Sequence, residues 1–571
     1  MDPALRTCAS EVIAALVANG VEYLFCNMGT DHAPLIEELA RRRQAGEPAP
    51  KTVLCPHENT AVHMAGGYAF ATGRPQAVLV HVDAGTANAA MGLHNLARSH
   101  LPVLLFAGRA PYSSRSGLMG QRNSYVNFVQ EPFDQASLVR PYVKWEYQLP
   151  SGTVAAEAVT RALERASAAP AGPVYLTAAR ETLAESVPSD LSAPARRAPL
   201  APMAANPATV ALLAQRLLQA ESPLIVTAYA GRNPVTVALL DELCRFAGIR
   251  VVEFTPHTVN LPHASPCHAG FQPQPHVAEC DVGLLLDIDV PWVPALTQPK
   301  AGSWWAHIDA DVEKGAFPLW PFPGDLRLQG DSAAILKQLL DAMKAQGDGA
   351  FAGRAAVRMK ALAQARQARR RAAADAASDP GRSGALNAAY VCATLSQLLG
   401  PADVLLNEAV RNAPVVFEQV ARAAPGTRVG PSGGGLGYSA GMSLGIRLAR
   451  PDAMVVNVVG DGVAYFGNPQ STFAVAMRYA LPTLTVVLDN GGWAAVKEAT
   501  SKVYPQGSAR KALDWEADLG RQTDFAMVAQ AAGGYGCTIS EPADVERKLG
   551  EAVEAVRAGR PALVHVHIAQ F

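Results

Sequence analysis

The chain has 571 residues, which at roughly 100 to 200 residues per domain predicts several domains and excludes a single small binding module. Its 49 lysines and arginines nearly balance 50 aspartates and glutamates, so nucleic acid is not an expected partner. Apolar runs stay short of the ~20 residues that cross a bilayer, and the N-terminal segment lacks the order of a signal peptide. We therefore expect a cytoplasmic protein with no membrane partner.

The first predicted domain, residues 1–186, alternates helical patterns with short runs rich in β-branched and aromatic residues. These runs predict strands at 21–26, 51–55, 76–82, 102–108 and 172–178. Strands and helices in alternation predict a parallel sheet that is covered by helices on both faces. The following segment, 187–208, is rich in proline and alanine and predicts a linker.

Two further α/β domains are predicted, a central one over 206–345 and a C-terminal one over 380–571. Their strands are predicted at 222–228, 249–254, 281–289, 303–310, 402–409, 452–462, 481–492 and 561–568. Between them, residues 355–377 are rich in alanine and arginine, which predicts a solvated connecting helix rather than a basic binding patch. The fold class is therefore α/β, with three doubly wound parallel-sheet domains.

Two loops of the C-terminal domain carry residues suited to a metal and a phosphate. Gly460-Asp461-Gly462 follows one buried strand, and Asn490 follows the next. The carboxyl ends of parallel strands meet at one edge of a sheet, so these loops should lie side by side. Glycine lets the backbone approach a phosphate, while carboxylate and amide oxygens are ligands that Mg²⁺ prefers.

This pattern resembles the cofactor signature of the thiamine-diphosphate enzymes of the acetolactate synthase, pyruvate decarboxylase and benzoylformate decarboxylase superfamily. GDG is followed after 26 residues by a turn that contains asparagine. The resemblance covers essentially the whole chain and implies Mg²⁺ held by Asp461, Asn490 and the backbone carbonyl of Gly492. The departure is Asp489, where the family usually has a first asparagine.

The resemblance also implies what the three domains do and how they assemble. The N-terminal domain would bind the cofactor's aminopyrimidine and the C-terminal domain its diphosphate and Mg²⁺. Because these roles fall on different domains, the family builds its active sites between subunits, which implies a homodimer or homotetramer.

Glu58 is the leading catalytic candidate. It stands in His57-Glu58, just ahead of an alanine- and glycine-rich helical pattern, which resembles the activating-glutamate segment of the family. There a carboxyl group bonded to the aminopyrimidine nitrogen promotes the imino tautomer of the cofactor. Burial in an apolar cleft would raise the pKa of such a group.

Further cofactor and substrate contacts follow from the same resemblance. A carbonyl near Gly434 would accept a hydrogen bond from the cofactor's amino group, and Leu436 would wedge between its two rings. Arg411 or Asn412 either helps to hold the diphosphate or is an ordinary exposed polar residue. The implied cofactor contacts are Asn27, Glu58, Arg411, Asn412, Gly434, Leu436, Gly460, Asp461, Gly462 and Asn490.

Proton transfer is expected from His81, because its HxxAGT order resembles that of benzoylformate decarboxylase. His32 is a second candidate for this role. The substrate candidates are Asp31, His32, Gln121 and Trp493. The adjacent histidines that pyruvate decarboxylases use in this region are absent, which disfavours simple pyruvate decarboxylation.

The resemblance favours non-oxidative decarboxylation of a 2-oxo acid or related ketone through an enamine intermediate. The alternatives are an acetolactate-synthase-like carboligase that gives a 2-hydroxyketone, a diketone-cleaving hydrolase, and a degenerate member that binds the cofactor without turnover. Gly231-Arg232 superficially resembles the region that holds FAD in acetolactate synthase, but a lone glycine turn does not establish a flavin. A nicotinamide oxidoreductase is disfavoured because no glycine cluster has the required strand context.

Overall fold

Three parallel β-sheets, each flanked by helices, form the framework of the chain. The computed structural model describes residues 6–115, 117–188, 197–431 and 433–570. The predicted α/β class with three parallel sheets is confirmed. No helix in these ranges is both long enough and apolar enough to cross a membrane.

The N-terminal and C-terminal sheets each have six parallel strands and share one topology. Numbered along the chain within each sheet, the strands lie side by side in the order 2-1-3-4-6-5. In chain order, the N-terminal strands are Tyr23–Cys26, Lys51–Leu54, Gln76–Val80, Val103–Arg109, Glu146–Gln148 and Val174–Ala179. The C-terminal strands are Val404–Glu408, Arg428–Val429, Val455–Gly460, Leu484–Asp489, Tyr535–Ile539 and Ala562–His567.

The central sheet has five parallel strands in the order 2-1-3-4-5. They are Leu224–Thr227, Arg250–Glu253, Val282–Leu286, Trp304–Asp309 and Leu326–Gln329. Two short antiparallel pairs complete the strands of the described residues: Arg6–Thr7 with Ser186–Val187, and Gly381–Arg382 with Ala385–Leu386.

Helices cover both faces of the sheets. Those around the N-terminal sheet are Cys8–Ala18, Ala33–Ala45, Glu58–Thr72, Val82–Arg98, Val126–Val129, Ala155–Ser167 and Arg180–Ala184. Those around the central sheet are Pro207–Gln219, Pro234–Ala247, Gln274–Glu279 and Ser332–Gln346. Gly349–Ala376 leads to the C-terminal helices Ala388–Gln397, Ala413–Gln419, Tyr438–Ala449, Asp461–Phe466, Pro469–Arg478, Ala494–Val503, Ser508–Ala512, Phe525–Ala531 and Val545–Arg557.

All predicted strands of the three sheets are present, and those that were not predicted lie at sheet edges. These edge strands are Glu146–Gln148, Leu326–Gln329, Arg428–Val429 and Tyr535–Ile539. An edge strand pairs on one side only and needs no continuous apolar run. Of the predicted linker, residues 189–196 lie outside the described residues, and 197–206 contain neither helix nor strand.

Helix Glu58–Thr72 packs closely against helix Tyr438–Ala449, which joins the N-terminal and C-terminal parts of the chain. Glycines make this approach possible. A Cβ at Gly67 would lie 2.2 Å from the Met442 carbonyl oxygen, and one at Gly445 would lie 2.0 Å from the Met64 carbonyl oxygen. The two backbones therefore approach within a distance that only glycine allows.

Candidate active site

The predicted site residues gather at the carboxyl ends of the strands, beside the point in each outer sheet where the strand order reverses. In open α/β sheets this crevice is where ligands bind. In the N-terminal sheet it lies between Tyr23–Cys26 and Gln76–Val80, which lead to Asp31 and His81 respectively. In the C-terminal sheet it lies between Val404–Glu408 and Val455–Gly460, which lead directly to Asp461.

Asp31 and His81 form a hydrogen-bonded pair at the N-terminal crevice. Nδ1 of His81 lies against Oδ1 of Asp31, and Asp31 is buried. The hydrogen bond to Asp31 is the main cause of a raised pKa for His81, which outweighs the effect of burial. Burial would raise the pKa of Asp31, but the hydrogen bond from His81 and the charges of both histidines lower it. An ionised Asp31 accepts from Nδ1, so Nε2 of His81 is the nitrogen left for proton transfer.

Two glycines make room for this pair. A Cβ at Gly29 would lie 2.0 Å from Nδ1 of His81, and one at Gly108 would lie 1.5 Å from Oδ2 of Asp31. Both positions therefore require the absence of a side chain. Sequence reasoning did not single out either glycine, because the close approach is made across strands.

The other candidates near this crevice have more constrained surroundings. His32 is completely buried, its Nδ1 accepts from the Gly29 amide at 3.0 Å, and burial lowers its pKa. This placement favours a supporting role beside Asp31 and does not favour contact with substrate. Asn27 donates to the Cys55 carbonyl at 3.1 Å. Gln121 has a buried side-chain oxygen with no hydrogen-bond partner in the described structure, so it stays a substrate candidate.

Glu58 begins helix Glu58–Thr72, and His57 caps that helix by accepting from the Asn59 amide. The Glu58 side chain is largely buried. Its Oε2 accepts from Nδ2 of Asn88 at 3.1 Å, while Oε1 has no hydrogen-bond partner among the described residues. Asn88 lies on the helix that follows His81. A single helix thus connects the candidate activating glutamate with the candidate proton-transfer histidine.

Asp461 carries an oxygen that lacks a partner at the C-terminal crevice. Its Oδ2 is buried and makes no hydrogen bond with the described residues. Burial, followed by the negative charge of Asp489, raises the pKa of Asp461 to about 6. Asn490 accepts from the Gly492 amide at 3.3 Å. An unpaired carboxylate oxygen beside a second carboxylate fits a divalent cation, which would relieve the repulsion between them.

Asp489, the residue that departs from the family pattern, is held by its own partners. Its Oδ2 pairs with Nε2 of His565 at 2.8 Å, and its Oδ1 accepts from the Gly491 amide at 2.7 Å. Burial would raise its pKa, but the hydrogen bond from His565 and the charge of Arg521 help to lower it. The carboxylate at 489 is therefore stabilised by a buried histidine two strands further along the chain.

Glu408 organises the glycine-rich loop and was not predicted as a site residue. It is buried, and it accepts from the Gly437 amide at 2.6 Å and from the Ser439 amide at 3.0 Å. Burial raises its pKa to about 7. Leu436 immediately precedes this anchor and packs against the apolar residues around the Asp461 loop. A charged residue that ends an apolar strand was the available sequence signal.

The rest of the glycine-rich loop contacts the N-terminal part of the same chain. The Gly434 amide donates to Nε2 of His94 at 3.1 Å, and the Gly435 amide donates to Asn95 at 3.2 Å. Gly434 is exposed, and a Cβ there would meet nothing closer than 4.0 Å. The backbone at Gly434 is therefore accessible, as a carbonyl that contacts a cofactor must be.

The remaining cofactor candidates lie around the Asp461 loop. Trp493 packs on Gly462, where a Cβ would lie 2.5 Å from the indole ring. At Gly460 a Cβ would meet nothing closer than 3.8 Å. Arg411 pairs with Glu498 at 3.0 Å, and the adjacent Asn412 is partly exposed. The packing of Trp493 therefore requires glycine at 462, independently of any contact with a phosphate.

Close packing also explains the glycine at 231, in the turn after the first strand of the central sheet. A Cβ at Gly231 would lie 1.8 Å from the Val259 carbonyl oxygen. Nearby, buried Lys314 contacts Asp289, Asp309 and the Tyr229 hydroxyl at 2.6 to 2.9 Å. The flavin alternative gains no support from this turn.

Two family models match the parts of the chain that contain the N-terminal and C-terminal sheets. The family model "Thiamine pyrophosphate enzyme, N-terminal TPP binding domain" matches residues 6–138. The model "Thiamine pyrophosphate enzyme, C-terminal TPP binding domain" matches residues 412–566. The chain belongs to the thiamine-diphosphate-dependent enzyme superfamily. The resemblance inferred from the GDG and HE segments is thereby confirmed.

Relatives within the superfamily align over nearly the whole chain. Benzoylformate decarboxylase of Pseudomonas aeruginosa is 26% identical over 584 residues, which cover 98% of this chain and 99% of that protein. Acetolactate synthase isozyme 3 large subunit of Escherichia coli is 25% identical over 90% of this chain and 88% of that protein. Among solved structures, the thiamine diphosphate-dependent 4-hydroxybenzoylformate decarboxylase of Rhodococcus jostii superposes with a TM-score of 0.79. It is 21% identical and covers 99% of this chain and 100% of that one, so it shows the shared fold.

Proposed function

We propose that this superfamily member requires thiamine diphosphate and Mg²⁺ and catalyses non-oxidative decarboxylation of a 2-oxo acid. The observation that carries the proposal is the Asp31–His81 pair, which lies at the start of the helix whose Asn88 donates to Glu58. It provides an imidazole whose pKa is raised by Asp31, at the crevice where the cofactor's aminopyrimidine is expected. The extent of the similarity to a benzoylformate decarboxylase supports the same reaction class.

Residues on the C-terminal sheet would hold the metal and the diphosphate. Asp461, Asn490 and the Gly492 carbonyl offer three oxygen ligands, as Mg²⁺ prefers. Asp461 enters this role with an oxygen that has no other partner. Glu408 fixes the loop that presents Gly434 and Leu436, which we propose contact the cofactor's rings.

Residues on the N-terminal sheet would handle protons. When bound, thiamine diphosphate supplies an electron sink for the charge left at the carbonyl carbon after the bond breaks. Glu58 would hold a proton at Oε1 for the aminopyrimidine nitrogen, while Asn88 fixes its other oxygen. His81 would move a proton through Nε2 to the carbon that has lost carbon dioxide, and Asp31 would keep its ring oriented.

We further propose that each site combines the N-terminal domain, 1–186, of one subunit with the C-terminal domain, 380–571, of another, in a homodimer or homotetramer. Two observations support this arrangement. Glu58 and Asp461 lie on different sheets, and no hydrogen bond or ion pair among the described residues joins these two side chains, although the neighbouring Asn59 donates to the Phe466 carbonyl at 3.4 Å within one chain. A site that uses both residues is therefore more readily completed by a second copy.

The test is incubation of purified protein with thiamine diphosphate, Mg²⁺ and a panel of 2-oxo acids, while carbon dioxide and hydroxyketones are followed together. Release of carbon dioxide with an aldehyde supports the proposal. A hydroxyketone as main product would favour the carboligase alternative, which the similarity to acetolactate synthase supports. Cleavage of a diketone without carbon dioxide selects the hydrolase.

A variant pair makes this test specific. Glu58→Gln should abolish turnover and retain cofactor binding, since only the proton is lost. Glu546→Gln is the matched control, because Glu546 is also a first-turn glutamate of a helix but is exposed. Full activity in Glu58→Gln would refute the role of Glu58.

A further inference from the structure

The long helix Gly349–Ala376 forms one wall of a cavity that is separate from the candidate active site. The cavity has a volume of about 670 Å³, which is within the range of small-molecule sites. Its other walls come from helices Ala388–Gln397 and Ala413–Gln419 and from the segment around His263. Arg366, Arg369 and Arg370 all line it, because residues three and four apart share one face of a helix.

The positive charge at this cavity is only partly balanced by the protein. Arg369 donates to the His268 carbonyl at 2.7 Å and lies 3.6 Å from Glu418. Glu418 is the one carboxylate among the described lining residues. Neither Arg366 nor Arg370 has an ion pair with any described residue.

Arg366 shows the imbalance most clearly. Its Nε is buried and has no hydrogen-bond partner in the described structure. Burial lowers its pKa, and the positive charges of Arg370 and Arg245 lower it further. A buried donor without a partner costs free energy, and an anion between Arg366 and Arg370 would supply the missing acceptor.

Apart from the arginines, Glu418 and His263, the described residues that line the cavity are uncharged. Ala373, Ala374 and Ala377 continue the same helix face, and Tyr390 lies on the opposing helix. The cavity thus has a cationic end and a smooth wall of small side chains with one aromatic ring. It fits a ligand with an anionic group at one end and an uncharged body at the other.

We propose that this cavity binds a small organic phosphate, with the phosphate between Arg366 and Arg370 and the uncharged body along the alanine wall. Guanidinium groups present paired donors that match phosphate oxygens. The sequence alone predicted a solvated connecting helix. The cavity is formed by elements distant in sequence, so the arginine pattern could not reveal it.

The test measures binding of ADP by calorimetry to protein saturated with thiamine diphosphate and Mg²⁺, so that the cofactor's own diphosphate site is filled. The double variant Arg366→Gln/Arg370→Gln should weaken ADP binding at least about tenfold. Arg371→Gln is the matched control, since Arg371 is an exposed arginine of the same helix that does not line the cavity. This control should bind ADP as the wild type does.

A second variant keeps both arginines. Ala374→Glu places a carboxylate one turn from Arg370 at an exposed position, where it should pair with that arginine and weaken ADP binding without unfolding the helix. Pyrophosphate should compete with ADP, and adenosine alone should bind far more weakly.

Several results would each overturn the proposal. They are no saturable ADP binding by wild-type protein, ADP binding that both variants leave unchanged, and adenosine binding as tightly as ADP. An equal loss in Arg371→Gln would also refute it, because the effect would then be one of net charge.

Discussion

Asp31 accepts a hydrogen bond from Nδ1 of His81, and the two side chains fill space left by glycines at 29 and 108. Asp31 bonds Nδ1 of the imidazole, which leaves Nε2 as the nitrogen that Asp31 does not engage, and the pair favours the protonated ring. Asp31 thereby favours the acid form of His81 at the edge of the sheet.

Asp31→Asn should change the pH dependence of catalysis. Because the hydrogen bond to Asp31 raises the pKa of His81, its loss should lower that pKa. If protonated His81 is the active form, activity declines as pH rises through this pKa, so the decline in the variant should begin at lower pH. The measurement is kcat/KM against pH, beside an NMR titration of His81.

His81→Ala calibrates this experiment, since loss of a general acid costs roughly 10²- to 10⁴-fold in rate. If the pH profile of Asp31→Asn coincides with that of the wild type, Asp31 does not set the protonation state of His81.

Gly108→Ala should disturb the Asp31–His81 pair by displacing Asp31. An added Cβ would lie 1.5 Å from Oδ2 of Asp31, on a buried strand that cannot easily move. We expect Asp31 to be displaced and the pH profile to approach that of Asp31→Asn. Gly550→Ala is the control, because a Cβ there meets nothing within 4 Å. Wild-type kinetics in Gly108→Ala would show that the space left by Gly108 is not needed to position Asp31.

The metal site should show a pH dependence that Asp489 controls. In metal-free protein the pKa of Asp461 is raised to about 6 by burial and by Asp489. Protons should therefore compete with Mg²⁺ as pH falls through about 6. Asp489→Asn removes the neighbouring charge, so the pH at which affinity is lost should move lower. Trp493 fluorescence is a suitable readout, since its ring packs on Gly462.

Asp461→Asn serves as the reference that loses Mg²⁺ binding across this pH range. The same midpoint in wild type and Asp489→Asn would contradict the proposed coupling between the two carboxylates.

Arg428→Met should strongly destabilise the protein. Arg428 is buried and contacts Glu253 of the central sheet at 2.6 and 2.8 Å. Burial would raise the pKa of Glu253, but the charge of Arg428 and the hydrogen bond from His268 hold it well below its usual range. Removing one partner of a buried ion pair costs about 3–5 kcal/mol. Chemical denaturation measures this loss.

The double variant Glu253→Met/Arg428→Met should recover much of the stability, since no charge is then left buried alone. Equal stability of Arg428→Met and wild type would rule out this account of the contact between the two sheets.

Those parts of the fold and site that depend on a local sequence pattern could be predicted from the sequence. Buried strands such as Val455–Gly460 are continuous apolar runs, and the GDG and HE segments stand directly at strand or helix ends. Edge strand Leu326–Gln329 lacks such a run and was missed. The pairing of Asp489 with His565 and of Glu408 with Gly437 joins residues distant in the chain, which no periodicity encodes.

The central claim, that Glu58 of one subunit acts with Asp461 of another, is tested most directly by mixing two inactive variants. Glu58→Gln and Asp461→Asn subunits are unfolded together in equal amounts and refolded, and carbon dioxide release is measured. A mixed dimer would contain one site with both residues intact, so random pairing should restore about one quarter of wild-type activity. Activity that stays at the level of the separate variants would contradict the claim.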